Sequence, residues 1–177
     1  MHRFTTRDLT FAALVAALYA VMGYFGDIFG LTFGTVQFLF AEALTVLHFV
    51  FPAAAPGLAV GCLITNLLSP YGPLDPIFGT LATAIAAWLT IRMPKWYLAA
   101  LPPILVNALI LPAMWAWTDV GAVNTAFWLA YGYSALTFII GEALVCYGLG
   151  TLLLKALSQI GYLKPITRSE RSAGINS

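Results

Sequence analysis

Six long runs of apolar residues, separated by short turns, constrain how this chain can fold more than any other feature. A helix needs about 20 apolar residues to cross a bilayer, and in hydrocarbon every backbone N–H and C=O has to be satisfied within the protein. The runs therefore predict an all-α polytopic membrane protein in which residues 1–177 form a single transmembrane domain. The predicted helices are about Leu9–Tyr24, Val36–Phe51, Pro56–Leu68, Asp75–Arg92, Tyr97–Trp117 and Thr125–Leu157.

The composition excludes the main alternative classes. Hydrophobic residues make up 61% of the chain and charged residues 8%, whereas soluble domains carry about 25% charged residues. A net charge of +1 provides no basic surface for nucleic acid. The N-terminus resembles the start of a signal peptide, but no cleavage pattern followed by a soluble domain appears, so we expect the first run to remain as a transmembrane helix.

The number of crossings depends on the segment Phe51–Gly57, which contains two prolines. The prolines forbid one continuous helix, so the alternatives are two short spanning helices or one broken span with five crossings in total. The positive-inside rule favours six. With six crossings and a cytoplasmic N-terminus, all eight Lys and Arg residues fall inside, and the outer loops contain Asp27, Asp75 and Asp119. We therefore predict that both termini are cytoplasmic.

Two of the predicted outer connections are rich in turn-forming residues. Residues 24–35 space glycines among aromatics, and Ser69–Pro76 contains three prolines and one glycine. Such loops either cover a pocket that opens outward or simply connect packed helices. The sequence leaves both interpretations open.

Two glutamates, Glu42 and Glu142, lie inside apolar runs. An ionised side chain there costs about 2.5 to 3.5 kcal/mol on insertion scales, and no Lys or Arg lies at membrane depth to offset that cost. His48, Asn66 and Asn107 are also intramembrane, and each can join helices by a hydrogen bond. We interpret the single asparagines first as structural links, and the glutamates as residues that need a strongly donating partner.

Glu142 shares one face of its predicted helix with aromatic residues further toward the outer end, Phe138, Tyr131 and Trp128. This face can stack a flat ring and bind the ring's edge, or it is core packing with an interfacial aromatic belt. Asn107 lies at about the same depth on the fifth helix. Asp75 begins a face of small residues on the fourth helix, which leaves room for either a ligand or a neighbouring helix.

Alanine recurs every four residues in the first helix, at Ala12, Ala16 and Ala20, and the third helix opens with Gly57 and Gly61. Small residues at this spacing let helices approach closely. The alanines therefore contact either another helix of this chain or a partner subunit.

The sequence contains no motif of a common enzyme class: no phosphate-binding GxxxxGK[ST] loop, no HExxH zinc pair and no GxSxG nucleophile elbow. Cys62 and Cys146 lie in apolar runs, where a thiol behaves as a small hydrophobe. We predict no catalytic residue, no cofactor, no metal site and no disulfide.

Several segments together resemble a known transporter family. The chain's size, its six predicted helices and its alanine repeat look like the substrate-binding S component of an energy-coupling factor (ECF) transporter. More specifically, the chain is similar to the QueT family of queuosine-precursor transporters over most of the stretch from Gln37 to Tyr147. The segments that carry this similarity are Val36–Phe38, Ala41–Leu47, Pro56–Ser69, Gly72–Thr83, Leu101–Ile110 and Gly141–Tyr147.

The resemblance implies a multi-pass protein of the bacterial cell membrane that binds a 7-deazaguanine precursor of queuosine from outside. It also implies partners, namely a transmembrane coupling subunit and two cytoplasmic ATPases that power release. Helices 1–3 are then the coupling face, with the stripe Ala12, Ala16 and Ala20, and helices 4–6 with the outer loops form the substrate pocket. Alternative functions are an S component for another vitamin, a membrane subunit without a ligand, and a membrane enzyme.

The chemistry of such a ligand suggests a role for each candidate substrate-binding residue. A guanine-like edge presents adjacent N–H donors that one carboxylate accepts together, so we predict Glu142 there and Asn107 at the ring carbonyl. An aminomethyl cation on the ring would pair with Asp75 or Glu42. The residues expected to stack on the ring are Trp128, Tyr131 and Tyr71.

Overall fold

The computed structural model describes residues 5–31, 38–67, 69 and 71–159, and within these residues it contains helices and no strand. The all-α prediction is confirmed. The α-helices are α1 (Thr6–Ile28), α2 (Leu47–Val50), α3 (Ala54–Asn66), α4 (Leu74–Thr90), α5 (Leu101–Val120), α6 (Thr125–Ala143) and α7 (Thr151–Gln159). A 3-10 helix, Phe40–Val46, leads into α2, a short one, Trp96–Leu98, precedes α5, and a π-helix, Leu144–Gly150, joins α6 to α7.

Three helical stretches are long and apolar enough to cross a membrane: Thr6–Ile28, Leu101–Val120 and Thr125–Leu153. Their outward surfaces are apolar, as exposed Leu14 and Leu129 illustrate. The remaining predicted runs correspond to shorter apolar helices, Phe40–Phe49, Ala54–Asn66 and Leu74–Thr90. These helices occupy the six predicted positions, while the number of crossings stays a prediction.

Helix ends differ from the predicted ones where a local cap determines them. α1 begins at Thr6, three residues before the predicted Leu9, because Thr5 and Asp8 form a capping box. The Thr5 hydroxyl oxygen accepts the Asp8 backbone N–H at 3.3 Å, and the Asp8 carboxylate accepts the Thr5 backbone N–H at 2.9 Å. α5 ends at Val120, beyond the predicted Trp117, where Gly121 takes the left-handed conformation with φ of 72°. A polar capping box at the start of α1 and a left-handed glycine at the end of α5 extend these helices past their apolar runs.

The second predicted helix is not a regular α-helix. Its described part is the 3-10 helix Phe40–Val46 followed by the single turn of α2, and the chain is extended at Phe51 before Pro52. The break that the two prolines predicted is therefore present. Several residues used in the sequence predictions lie outside the described residues, namely Val36, Gln37, Leu68, Arg3, Lys164, Arg168 and Arg171.

α1 and α3 pack closely because α3 presents glycine to α1. A side chain at Gly57 would collide with the Ala12 carbonyl oxygen. A Cβ at Gly61 would lie 2.6 Å from the Tyr19 Cβ and 2.9 Å from the Ala16 carbonyl oxygen. The small residues of both helices thus form one internal contact, which brings the Tyr19 side chain toward the centre of the protein.

We expect Gly57→Ala to lower the melting temperature of the detergent-purified protein by several degrees. The added methyl meets backbone atoms of α1, which cannot move aside as a side chain can, and overpacking of this kind costs about 1 to 3 kcal/mol. Gly132→Ala in α6 is the matched control, because a Cβ there has nothing within 4 Å. Equal melting temperatures for the two variants would contradict the close α1–α3 contact.

Candidate functional site

Polar side chains from α1, the first 3-10 helix, α3, α4 and α5 converge on an internal cavity of about 20 Å³. The volume accommodates about one water molecule. Polar side chains in a membrane interior cost free energy unless they are paired with each other or with a ligand. Their convergence therefore marks a candidate binding site. The polar lining consists of Tyr19, Glu42, Asn66, Asp75, Thr83 and Asn107, and Trp115 contributes an aromatic wall.

Glu42 reaches the cavity from the 3-10 helix and has a phenol as its donor. The Tyr19 hydroxyl donates to Oε1 of Glu42 at 2.5 Å, while Oε2 is buried with no hydrogen-bond partner among the described residues. The backbone of this turn is held from two sides, because the Thr45 hydroxyl and the Cys146 thiol both donate to the Glu42 carbonyl oxygen, at 2.6 and 3.5 Å. The strong donor that the sequence required for Glu42 is therefore Tyr19.

Glu142 does not line the cavity, although it is completely buried on α6. Its Oε1 accepts from Nδ2 of Asn107 at 2.7 Å, and Asn107 is the residue that lines the cavity. The donor of Asn107, which the sequence analysis assigned to a ring carbonyl, is thus paired with Glu142, and the atom left without a partner in the described part of the chain is the acceptor Oδ1. The structure thus brings Glu142 and Asn107 together, as their common depth predicted, with Asn107 nearer the cavity. Direct contact of Glu142 with a ligand stays a prediction.

Asp75 was counted with the outer loops by the charge argument, but its side chain is buried in the first turn of α4 and lines the cavity. It lies beside the side chains of Ser69 and Trp115. The indole Nε1 of Trp115 forms no hydrogen bond of good geometry with any described residue. At the N-terminal end of α4, the helix dipole also favours the carboxylate.

Tyr71, in the α3–α4 connection, does not line the cavity but contacts Trp115, which does. Its ring stacks on Trp115, with centroids 5.3 Å apart and planes inclined by 28°, and Trp115 in turn packs against Phe138 at 5.7 Å. Partial burial raises the pKa of the Tyr71 hydroxyl, and the charges of Asp119 and Asp75 raise it further, so the phenol is neutral. Of the three predicted stacking residues, Tyr71 is the one in contact with the cavity wall.

Trp128 and Tyr131 do not line the cavity. They form an aromatic cluster with Phe127 in the first turns of α6, with ring centroids 5.2 to 6.4 Å apart. Trp128 is 60% exposed. Both interpretations of this face stay open, the interfacial aromatic belt and the stacking of these two rings on a ligand.

Three residues of the site escaped the sequence analysis, Tyr19, Thr83 and Trp115. Trp115 had a usable signal, because Asn107, Leu111 and Trp115 follow one another at four-residue steps and therefore share one face of α5. Tyr19 had no such signal. Its role depends on the glycine contact with α3 and on the position of the 3-10 helix, and neither is visible in a count of apolar residues.

The predicted coupling stripe lies at the contact between α1 and α3. Ala16 and Ala20 are buried and Ala12 is half-buried, whereas the adjacent Ala13 and Ala17 are exposed. The contact of the stripe with a partner subunit stays a prediction.

The remaining intramembrane polar residues make local hydrogen bonds. His48 lies away from the cavity, with Nδ1 at 2.7 Å from the Thr45 carbonyl oxygen. Cys62 is a buried free thiol that accepts from Asn66 at 3.3 Å and from Thr83 at 3.2 Å. Among the described residues, no group of three His, Cys, Asp or Glu side chains is placed to hold a metal ion.

Comparison with known proteins identifies a family. Residues 9–159 match the family model described as "QueT transporter". A curated relative from Lactococcus lactis subsp. cremoris (strain MG1363), "Queuosine precursor transporter QueT", is 31% identical over 85 residues. That alignment covers 48% of this chain and spans half the length of the relative. No solved structure matches the chain. The resemblance to the QueT family is confirmed by the family match.

Removal of the Tyr19 hydroxyl should destabilise the protein, because Glu42 would lose its donor while remaining buried. We expect Tyr19→Phe to reduce the free energy of unfolding by about 1.5 to 3 kcal/mol, as for a hydrogen bond to a charged group. Tyr24→Phe is the control, because that hydroxyl on the same helix donates to the Ile64 carbonyl at 3.1 Å. A smaller loss for Tyr19→Phe than for Tyr24→Phe in denaturant titrations would contradict this account of Glu42.

Proposed function

Because the chain belongs to the QueT transporter family, we propose that it is the substrate-binding S component of an ECF importer and binds a 7-deazaguanine precursor of queuosine. The family consists of transporters, so the chain is a membrane protein and not an enzyme. The name of the curated relative supports the substrate class. In this proposal the protein crosses the bacterial cell membrane several times, and it delivers its ligand with the help of a coupling subunit and two ATPases.

The observation that carries the proposal is the set of unpaired polar atoms at the cavity. Oε2 of Glu42 and Oδ1 of Asn107 are acceptors buried without a partner among the described residues, and Trp115, whose indole N–H is a donor, lines the same cavity beside Asp75. A guanine-type edge carries one carbonyl acceptor beside N–H donors. Two acceptors and one donor are the complement of that edge, and pairing would relieve the cost of leaving these groups unsatisfied.

A bicyclic ring needs more room than one water molecule, so binding has to open the cavity. Tyr71 is the natural part to move, because it belongs to the turn between α3 and α4 and is stacked on Trp115. In the proposal, the incoming ring takes the place of Tyr71 against the indole. Tyr71 then closes over the ligand or moves aside.

The charge of the cavity supports a cationic substituent on the ligand. Glu42 and Asp75 both line the cavity, and no basic side chain of the described residues does. The described arginines and lysines are instead exposed, at Arg7, Arg92, Lys95 and Lys155. An aminomethyl cation on a 7-deazaguanine would pair with Asp75 or Glu42 and would compensate a carboxylate that the membrane otherwise penalises.

For the topology we propose six crossings with both termini in the cytoplasm. The α3–α4 and α5–α6 connections lie at the same end of the protein. Tyr71 belongs to the α3–α4 connection, and its hydroxyl lies within range of the charge of Asp119, in the last turn of α5. The α4–α5 connection lies at the other end, where the Tyr147 hydroxyl donates to the Tyr97 carbonyl oxygen at 3.0 Å. Arg92 and Lys95 belong to this end, which the positive-inside rule assigns to the cytoplasm.

For coupling we propose α1, in keeping with the role predicted for helices 1–3. The surface next to the stripe Ala12, Ala16 and Ala20 includes exposed Ala13 and Ala17, which would allow close approach of a partner helix. Tyr19, Glu42 and Asn66, which line the cavity, belong to helices 1–3. In this proposal helices 1–3 therefore contribute to ligand binding as well as to coupling.

The ligand prediction compares a 7-deazaguanine with an aminomethyl group and the neutral ring without it. We expect isothermal titration calorimetry to show binding of both by the wild type, with the cationic ligand bound more tightly. Asp75→Asn should weaken binding of the cationic ligand about ten- to a hundredfold and leave the neutral ring nearly unchanged. Asp119→Asn removes an exposed acidic group near the same end and should change neither. Equal losses for both ligands in Asp75→Asn would exclude an ion pair between the ligand and Asp75.

The topology prediction uses single cysteines in a background in which native Cys62 and Cys146 are both buried. A cysteine at Asp119 or Val123 should react with a membrane-impermeant maleimide added to intact cells. A cysteine at Lys95 should react only after the cells are opened. Labelling of the Lys95 position in intact cells would refute the proposed orientation.

A further inference from the structure

Asn66, the last residue of α3, lines the cavity, but none of the ligand's hydrogen bonds has been assigned to it so far. Within the described part of the chain its side chain makes one hydrogen bond, from Nδ2 to the Cys62 sulfur on the same helix at 3.3 Å. A side-chain hydrogen bond between α3 and α4 comes instead from Thr83, whose hydroxyl donates to the same sulfur at 3.2 Å. The role of a link between helices therefore does not account for Asn66.

The Asn66 amide is seated against α4 at a glycine. A Cβ on Gly79 would collide with Nδ2 of Asn66, whereas its distance from the Cys62 sulfur would be an ordinary 3.7 Å. Gly79 lines the cavity as well. The missing side chain of Gly79 thus leaves room for the Asn66 amide at the edge of the cavity, which is a common use of glycine at a close approach.

The amide of Asn66 has an N–H donor to spare in either orientation. A primary amide carries two N–H donors and one acceptor oxygen. With Nδ2 toward Cys62, the sulfur takes one N–H and leaves the other. With the amide turned end for end, the thiol donates to the oxygen and both N–H groups are left over. An amide does not titrate, so this donor is present in every protonation state of the neighbouring carboxyl groups.

The order of residues along the cavity indicates which group of a ligand this donor meets. Asp75 is one turn before Gly79 on α4, and it is therefore nearer than Asn66 to the α3–α4 connection. Cys62 is one turn before Asn66 on α3 and is further from that connection. Glu42 lies close enough to Cys62 for its charge to act on the thiol. Asn66 is therefore placed between Asp75 and Glu42.

The groups on the edge of an aminomethyl-substituted 7-deazaguanine follow the same order. The aminomethyl group is next to the ring carbonyl, and the carbonyl is next to the N–H donors of the guanine-type edge. With the cation at Asp75 and the N–H edge at Glu42, the carbonyl oxygen comes to the level of Asn66. This oxygen has two lone pairs, so it can accept from Asn66 in addition to any donation from Trp115.

We propose, on the basis of the function proposed above, that Asn66 is a further substrate-binding residue whose amide N–H donates to the ring carbonyl of the ligand. Gly79 acts with it, because only a residue without a side chain leaves the amide in this place. The site then prefers a ring with a strong acceptor between the cationic substituent and the N–H edge.

The test compares the aminomethyl-substituted 7-deazaguanine with the analogue in which sulfur replaces the ring carbonyl oxygen, by calorimetry on the purified full-length chain. Sulfur is a weak acceptor, and the analogue keeps both the cation and the N–H edge. The wild type should bind the oxygen compound more tightly. Asn66→Leu, which has a similar volume and no donor, should lower the ratio of the two affinities about three- to tenfold.

Thr65→Val is the matched control, because Thr65 is the buried neighbour of Asn66 on α3 and does not line the cavity. Its hydroxyl donates to the Gly61 carbonyl oxygen at 3.0 Å, and valine keeps the shape of the side chain. We expect this variant to keep the wild-type ratio. A merely structural role of Asn66 would lower both affinities together. A folded Asn66→Leu variant with the wild-type ratio would therefore overturn the inference.

Gly79→Ala tests the seat of the amide without changing Asn66, and it keeps the inference testable if Asn66→Leu fails to fold. The added methyl should displace the amide and lower the ratio as Asn66→Leu does. In an Asn66→Ala background the methyl has room, so Gly79→Ala should leave the ratio of that background unchanged. A further reduction there would show that the methyl acts on the ligand directly, and it would contradict the part assigned to Gly79.

Failure of this inference and failure of the proposed function give different results. A wild type that binds neither compound refutes the proposed function, and the role of Asn66 falls with it. A wild type that binds both compounds equally well supports the proposed function and refutes the role of Asn66 alone.

Discussion

The structure depends on burying two glutamates inside a bundle of apolar helices. Each glutamate has one neutral donor on a neighbouring helix, Tyr19 for Glu42 and Asn107 for Glu142. Each also keeps a second carboxylate oxygen without a partner in the described residues. Such a group costs stability in hydrocarbon, so a chain that keeps it gains something else from it. In the proposed function the cavity between Glu42 and Asn107 provides that gain, because a ligand with N–H donors would satisfy the acceptors there.

Irregular helices hold these carboxylates in place. Glu42 lies in a 3-10 helix, and Glu142 lies at the end of α6, two residues before the π-helix Leu144–Gly150. The two irregular segments pack on each other through Cys146, whose thiol donates to the Glu42 carbonyl oxygen, and through Gly150, whose missing Cβ leaves room for Val46. π-Helical turns occur frequently at functional sites. Here one of them connects the backbones that carry the two buried glutamates.

The sequence was sufficient for the fold class, the positions of the apolar helices and the break at Pro52, because these follow from hydropathy and proline geometry. It also identified Glu42, Asp75, Asn107 and Glu142 as polar residues whose burial in a membrane protein costs free energy and therefore suggests a function. It did not predict the 3-10 helix, since apolar runs of both helix types look alike. It did not predict that Asn107 lines the cavity and Glu142 does not. That difference depends on how α5 and α6 are rotated about their axes. The apolar faces of both helices are too broad to determine this rotation from sequence.

The central claim is that the buried polar cavity binds a 7-deazaguanine. Mass spectrometry of the small molecules released on denaturing the protein, after purification from cells without added ligand, tests it most directly. The account predicts a 7-deazaguanine in the wild-type extract and its loss from an equally folded Trp115→Ala variant, whose cavity lacks the aromatic wall. A different vitamin in the extract, or a 7-deazaguanine retained in full by the variant, would contradict the account.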